Sequence, residues 1–180
     1  IQMVPDLYIA WHAGISNWKN EKSLNKSSIG IEISNPGHEY GYRKFSDKQI
    51  KCLIKISKFL IRKYNINKNK ILGHSDIAPL RKIDPGEKFP WKFLSKRKIG
   101  IWHNINSKIL KSLRGINSET NLNKFVIYLK NIGYHIQYSN LNDLKKIIKI
   151  FQMKFRPELI DGKLDAECYM IAISLVNRDN

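Results

Sequence analysis

Residues 71–86, ILGHSDIAPLRKIDPG, hold the densest set of chemically useful side chains in this 180-residue chain. His74 and Asp84 offer an imidazole and a carboxylate, both good zinc ligands, and Lys82 puts a cation close to that carboxylate. Alternation fades after Ile71 and Leu72, and Gly and Pro punctuate the rest, so a strand end running into a structured loop is predicted. Taken alone, the stretch fits a metal site and an ordinary Asp-Pro-Gly turn equally well. A second acid stands in SSIGIEISN (27–35), where Ile29, Ile31 and Ile33 alternate with Gly30, Glu32 and Ser34. That period predicts a strand with one apolar face and Glu32 on the other. If the second face meets water, Glu32 is a surface acid. If it meets a cleft, its small neighbours leave room for a substrate. Trp11, His12 and Trp18 form a third group, suited equally to lining a carbohydrate or peptide groove and to covering a core edge.

The elements that must carry these groups can be read around them. Residues 4–18 predict a short strand, Leu7 to Trp11, entering a Gly-containing loop, and 35–45 (NPGHEYGYRKF) form a loop rich in Pro, Gly and Tyr. Ser46 and Gln49 make a capping box, with Ile50, Leu53, Ile54, Ser57, Leu60, Ile61 and Tyr64 behind it on one helical face. A helix over roughly 46–64, packed on a sheet, is the expectation. Phe89-Pro90-Trp91 and Ile99 to Trp102 are apolar anchors closing a first domain, 1–104. Residues 105–118 are polar and read as a linker.

The remainder, 119–180, has another texture. Leu122, Phe125, Val126 and Leu129 predict a helix ended by Gly133. Leu144, Ile147, Ile148, Phe151 and Phe155 predict a second, stopped by Pro157, and Asp165 is placed to cap a third bearing Tyr169, Ala172, Ile173 and Val176. Three short helices make a small bundle without a catalytic cluster, hence a binding or structural module.

Composition narrows the function classes. With 32 Lys and Arg against 15 Asp and Glu, the net charge is +17, which favours polyanions such as nucleic acid, anionic lipid or an acidic wall polymer. The lysines are spread over every segment and not gathered into an Arg-rich helix or an aromatic-interleaved patch, so nucleic acid is not an expected partner. No apolar run is long enough to span a membrane. The opening IQMVP shows no signal peptide and does not begin with Met, so processing or truncation upstream is expected. Cys52 and Cys168 lie far apart within helical patterns and read as buried free thiols.

AWHAG (10–14), Leu24-Asn25, SIGIEISNPG (28–37), GHSDIAP (73–79), RKIDPG (81–86) and FPW (89–91) together resemble the zinc-dependent N-acetylmuramoyl-L-alanine amidases of the AmpD/AmiD type. FQMKFRPELIDGKLD (151–165) is similar to the peptidoglycan-binding helical domain that often follows that catalytic domain. The resemblance implies an α/β fold: a mixed β-sheet flanked by helices, with its N-terminal part missing here, followed by a small three-helix domain. It implies Zn2+ as cofactor, with His74 and Asp84 as two of three metal ligands. Glu32 falls on the residue that handles the proton, and Lys82 on the cation beside the reaction centre. The third ligand, a His on a strand preceding AWHAG, is expected upstream of Ile1, so that 1–180 alone would bind zinc weakly and be inactive. Trp11, His12, Asn35 and Tyr40 are the expected substrate-binding residues, with His12 near the groove and not on the metal. The substrate would be peptidoglycan or a muropeptide fragment, and a non-catalytic wall-binding protein is the alternative. The two-domain layout resembles envelope-located members, which implies periplasm or outer membrane ahead of cytoplasm.

Overall fold

The computed structural model describes residues 1–117 and 122–178. Helices dominate: α1 (Asp47–Tyr64), α2 (His74–Ile77), α3 (Trp91–Ser95), α4 (Ser107–Leu113), α5 (Leu122–Ile132), α6 (Leu141–Phe155) and α7 (Ala166–Val176). The sheet among the described residues is one antiparallel hairpin, β1 (Asn17–Trp18) and β2 (Glu21–Lys22), with Trp18 opposite Glu21. The expected mixed sheet is therefore corrected. Residues 28–36 run without strand pairing, and Ile29 and Ile31 remain exposed. Leu7 to Trp11 and Ile71-Leu72 also lack a ladder. Apolar alternation creates a face that favours burial, but a strand exists only when a neighbour takes its N–H and C=O groups. No described segment pairs with these three.

The helix expectations fare better because their signals are local. Ser46 Oγ accepts from Gln49 N at 3.3 Å and Gln49 Oε1 accepts from Ser46 N at 2.9 Å, closing the capping box that starts α1. Asn65 ends α1 in the left-handed conformation. The apolar face of α1, including Leu53 and Ile61, borders an open trough among the described residues. Cys52 falls on the opposite face and is exposed, correcting its expected burial, while Cys168 is buried.

Gly133 (φ +135°) follows α5, Pro157 stands just past α6, and Asp165 caps α7 by accepting from Cys168 N at 2.9 Å. The stretch read as a linker holds α4, with Leu110 in the core and Arg114 paired to Glu167 on α7 at 2.6 Å. Alternating polar and apolar residues there form a short amphipathic helix docked near α7, not a free tether. The boundary expected at 118/119 lies outside the described residues.

One buried apolar cluster runs from Ala13 and Trp18 through Trp91 and Leu94 to Phe151, Ile171 and Leu175. The hairpin is fixed to the C-terminal part. Lys19 N donates to Gly133 O at 2.7 Å, and Trp18 meets Tyr134 edge-on at 5.2 Å between centroids. A Cβ on Gly133 would lie 2.4 Å from the Trp18 ring, so only glycine fits that approach. Trp18 is thus a core residue, whereas Trp11 stays 84 % exposed.

Candidate active site

The site grows from the first turn of α2. Gly73 precedes it in an extended conformation, and its N–H is accepted by Asp76 Oδ2 at 2.7 Å. This bond folds HSDI into a single turn and projects His74 from its start. Ser75 N then donates to Asp84 O at 2.9 Å, bringing the far end of the loop back beside His74. Arg81 ties the same loop to the AWHAG segment by donating to Ala13 O and Ile15 O, both at 2.9 Å.

His74 Nδ1 and Asp84 Oδ2 end 3.2 Å apart, while His74 Nε2 lies 3.2 Å from Ala13 O. A carbonyl can only accept, so Nε2 carries a proton. At Nδ1 the ring meets the carboxylate, an arrangement that either an N–H or a cation shared between the two atoms satisfies. Two ligands about 2.0–2.1 Å from a tetrahedral zinc stand about 3.3 Å apart, matching the observed separation. A backbone carbonyl on the other ring nitrogen is also the usual support for a metal-binding histidine. These two residues therefore fit zinc as a pair. Among the described residues no group of three or more His, Cys, Asp or Glu completes a metal site.

Burial works to raise the Asp84 pKa. The His74 hydrogen bond and charge, with Lys82 adding less, outweigh it and hold the carboxyl below its usual value. His74, Lys82, Asp84 and Glu32 all line the same open trough of about 1190 Å³. Glu32 is exposed on its unpaired segment and has no hydrogen bond or ion pair among the described residues. Ile29, Ile31 and Ile33 border the same open space, so both faces of this segment meet it. Trp11, His12 and Asn35 also border the trough. His12 sits deeper than Trp11. Its Nε2 pairs with Ser28 Oγ at 2.9 Å and its Nδ1 with Ala10 O at 2.8 Å, and its ring lies against Gly30, where a Cβ would come within 2.6 Å. Asn35 spends its amide on the loop, donating to Arg43 O at 2.8 Å and accepting from Gly37 N at 3.2 Å. Tyr40 is 79 % exposed and is not part of the trough wall.

Tyr42, two residues on, is. Its hydroxyl donates to Pro85 O at 2.6 Å and accepts from Lys88 N at 3.0 Å, pinning the loop directly after Asp84. Burial pushes its pKa up to about 12, so it stays a donor. His38 stacks on Tyr42 and bonds Glu87 Oε2 at 3.0 Å. Sequence reasoning passed over Tyr42 and Asp76. The available signal for Asp76 was its place three residues after Gly73, where a carboxylate can cap a helical turn.

The N-acetylmuramoyl-L-alanine amidase family profile (Amidase_2) matches residues 1–87. AmiD of Escherichia coli K12, an N-acetylmuramoyl-L-alanine amidase, is 35 % identical over 184 residues, covering 98 % of this chain and 67 % of AmiD. The chain belongs to the N-acetylmuramoyl-L-alanine amidase family. AmpD of Haemophilus influenzae, a 1,6-anhydro-N-acetylmuramyl-L-alanine amidase, is 40 % identical over 91 residues, covering 49 % of this chain and 47 % of AmpD. The likeness extends to three dimensions. The E. coli AmiD structure in complex with anhydro-N-acetylmuramic acid-L-Ala-D-γ-Glu-L-Lys superposes with a TM-score of 0.87, over 99 % of this chain and 72 % of that one. AmpDh3 of Pseudomonas aeruginosa in complex with anhydromuramic pentapeptide gives 0.85 at 31 % identity, over 99 % and 73 %. The fold is thus shared with AmiD along nearly the whole chain.

Proposed function

We propose that this amidase hydrolyses the amide between N-acetylmuramic acid and L-alanine in peptidoglycan or its fragments, with zinc held by His74, Asp84 and a third ligand that is not among the described residues. The approach of His74 Nδ1 and Asp84 Oδ2 to 3.2 Å, in a trough shared with Glu32 and Lys82, carries this reading. Zinc at this pair would lower the pKa of a water to about 7 and polarise the carbonyl. Glu32, free of other partners, takes the proton as water attacks the carbonyl carbon and returns it to the departing alanine nitrogen. Lys82 stabilises the negative charge gathering on the carbonyl oxygen. Trp11 and the His12–Asn35 side of the trough are the surfaces offered to sugar and peptide. The anhydromuramyl peptides bound to AmiD and AmpDh3 are the substrate class that these similarities support.

An envelope location belongs to the same proposal, supported by the +17 charge, which attracts acidic wall polymers. So does a wall-binding role for the C-terminal helices.

Glu32→Ala tests the proton role. Muropeptide hydrolysis should fall about 10²- to 10⁴-fold with zinc content and melting temperature unchanged. Cleavage at the parental rate would remove Glu32 from the mechanism.

A further inference from the structure

The His74 turn does not stand on its own residues. Asp76, two positions after His74, is 1 % exposed and receives three donors. Gly73 N reaches Oδ2 at 2.7 Å from within the loop. The other two come from the C-terminal helical part: Tyr134 Oη donates to Oδ1 at 2.7 Å, and Lys154 Nζ, on α6, to Oδ2 at 2.5 Å. Lys154 is itself 5 % exposed, and its ammonium lies 4.3 Å from the Trp91 ring centroid, a cation–π contact that holds the amine from a third side. Tyr134 is fixed in turn by the Trp18 ring and the Gly133–Lys19 bond.

A lysine this deep needs a countercharge, because an ion in the interior is costly unless paired and hydrogen-bonded. Asp76 is the carboxylate bonded to it. The same oxygen that pairs with Lys154 also closes the turn at Gly73, so the ion pair fixes where α2 begins. The start of α2 sets the direction of the His74 ring, and through Ser75 N and Asp84 O it sets the distance to the second ligand.

We propose that Lys154 and Tyr134 are positioning residues for the His74–Asp84 pair, acting through Asp76. This rests on the amidase reading only in taking His74 as a zinc ligand. The C-terminal helices thereby have a second role besides any wall binding: they hold the metal loop in register.

The test uses the full chain carrying Lys154→Met, Lys154→Arg or Tyr134→Phe, with zinc affinity read by competition against a chromophoric chelator. Circular dichroism and melting serve as the check on folding. Outer-shell partners of metal ligands typically change affinity by about 10- to 100-fold. Lys154→Met should therefore weaken zinc binding at least about tenfold with helix content retained, Lys154→Arg should restore most of it, and Tyr134→Phe should cost less. In the metal-free protein, the His74 ring nitrogen resonances should shift in Lys154→Met and return in Lys154→Arg. Zinc affinity within twofold of the parent and unmoved His74 resonances in Lys154→Met would overturn the proposal, even if the melting temperature drops. Should Lys154→Met fail to fold, Tyr134→Phe decides, since it leaves the ion pair intact: unchanged affinity and resonances overturn it. Zinc binding that neither His74→Ala nor Asp84→Ala weakens would sink the metal reading, while the resonance comparison would still decide the positioning role.

Discussion

Two clusters of acids and bases, built from nearly the same residue types, have opposite designs. Around Arg156, which is 1 % exposed, the carboxylates of Asp161, Asp165 and Glu167 converge, and Glu167 also takes a two-pronged contact from Arg114 at 2.6 and 2.7 Å. Gln152 completes this cluster, accepting from Gly162 N at 2.8 Å and donating to Asp161 Oδ1 at 2.9 Å. The guanidinium terminal nitrogens and all three acids have partners, and Arg156, Asp165 and Glu167 are shut away from water while Asp161 stands at the rim. In the trough, Glu32 has none among the described residues, Lys82 shares only its charge with Asp84, and the His74–Asp84 pair is left half open. A closed cluster fixes structure because every charge is already spoken for. An open one can act on a substrate because charge remains to be neutralised.

This contrast can be broken from either side. The largest effect belongs to the open cluster: losing Glu32 should cost activity by orders of magnitude and stability hardly at all. The closed cluster should respond in reverse. Arg156→Met would strand Asp165 in the interior, and breaking a buried pair from one side costs about 3–5 kcal/mol; the lower end applies because Glu167 keeps Arg114. Urea unfolding should show this loss, with the residual folded fraction cleaving substrate at a near-parental specific rate. Loss of specific activity at full stability would erase the distinction.

A smaller effect sharpens it. His103 is buried beside Trp102, with Nδ1 unpartnered. Burial, with help from Lys92 and Arg178 and against Glu158 and a Phe155 backbone bond, lowers its pKa from 6.5 to about 4. Between those values the unfolded chain binds a proton that the folded chain does not, so stability rises with pH across that window. The contribution of neutral His103 is complete above about 6.5 and is lost as pH falls towards about 4. His103→Phe should flatten the pH dependence of unfolding over that range. An unchanged slope would assign it to other groups.

How much of this was legible follows from how local each signal is. The Ser46–Gln49 box, Gly133 after α5 and the Asp165 cap are short-range devices, and each sits where the sequence put it. His74, Lys82, Asp84 and Glu32 border one trough, and the 3.2 Å approach of His74 to Asp84 is the part of that set fixed by a short-range loop. The sheet was not legible correctly, because Ile29, Ile31 and Ile33 announce a face but not the partner that would pair with their backbone. Nor was the docking of the C-terminal helices: Lys154 reads as one more lysine among many until Asp76 is seen across from it, and their separation in sequence hides the pair. Tyr40 and Tyr42 differ in sequence by nothing that says which one turns inward. Burial of Tyr42 depends on the Pro85 carbonyl it meets.

The most direct measurement of the amidase assignment is mass spectrometry of anhydromuramyl-L-Ala-D-γ-Glu-L-Lys after incubation with the zinc-loaded protein in ¹⁸O-water. The expected products are a free tripeptide with an L-alanine amino terminus and an anhydromuramic acid bearing one ¹⁸O in its lactyl carboxylate, both lost on chelation and recovered with zinc. Cleavage at any other bond would contradict it, as would intact substrate from a folded protein whose zinc has all three of its protein ligands.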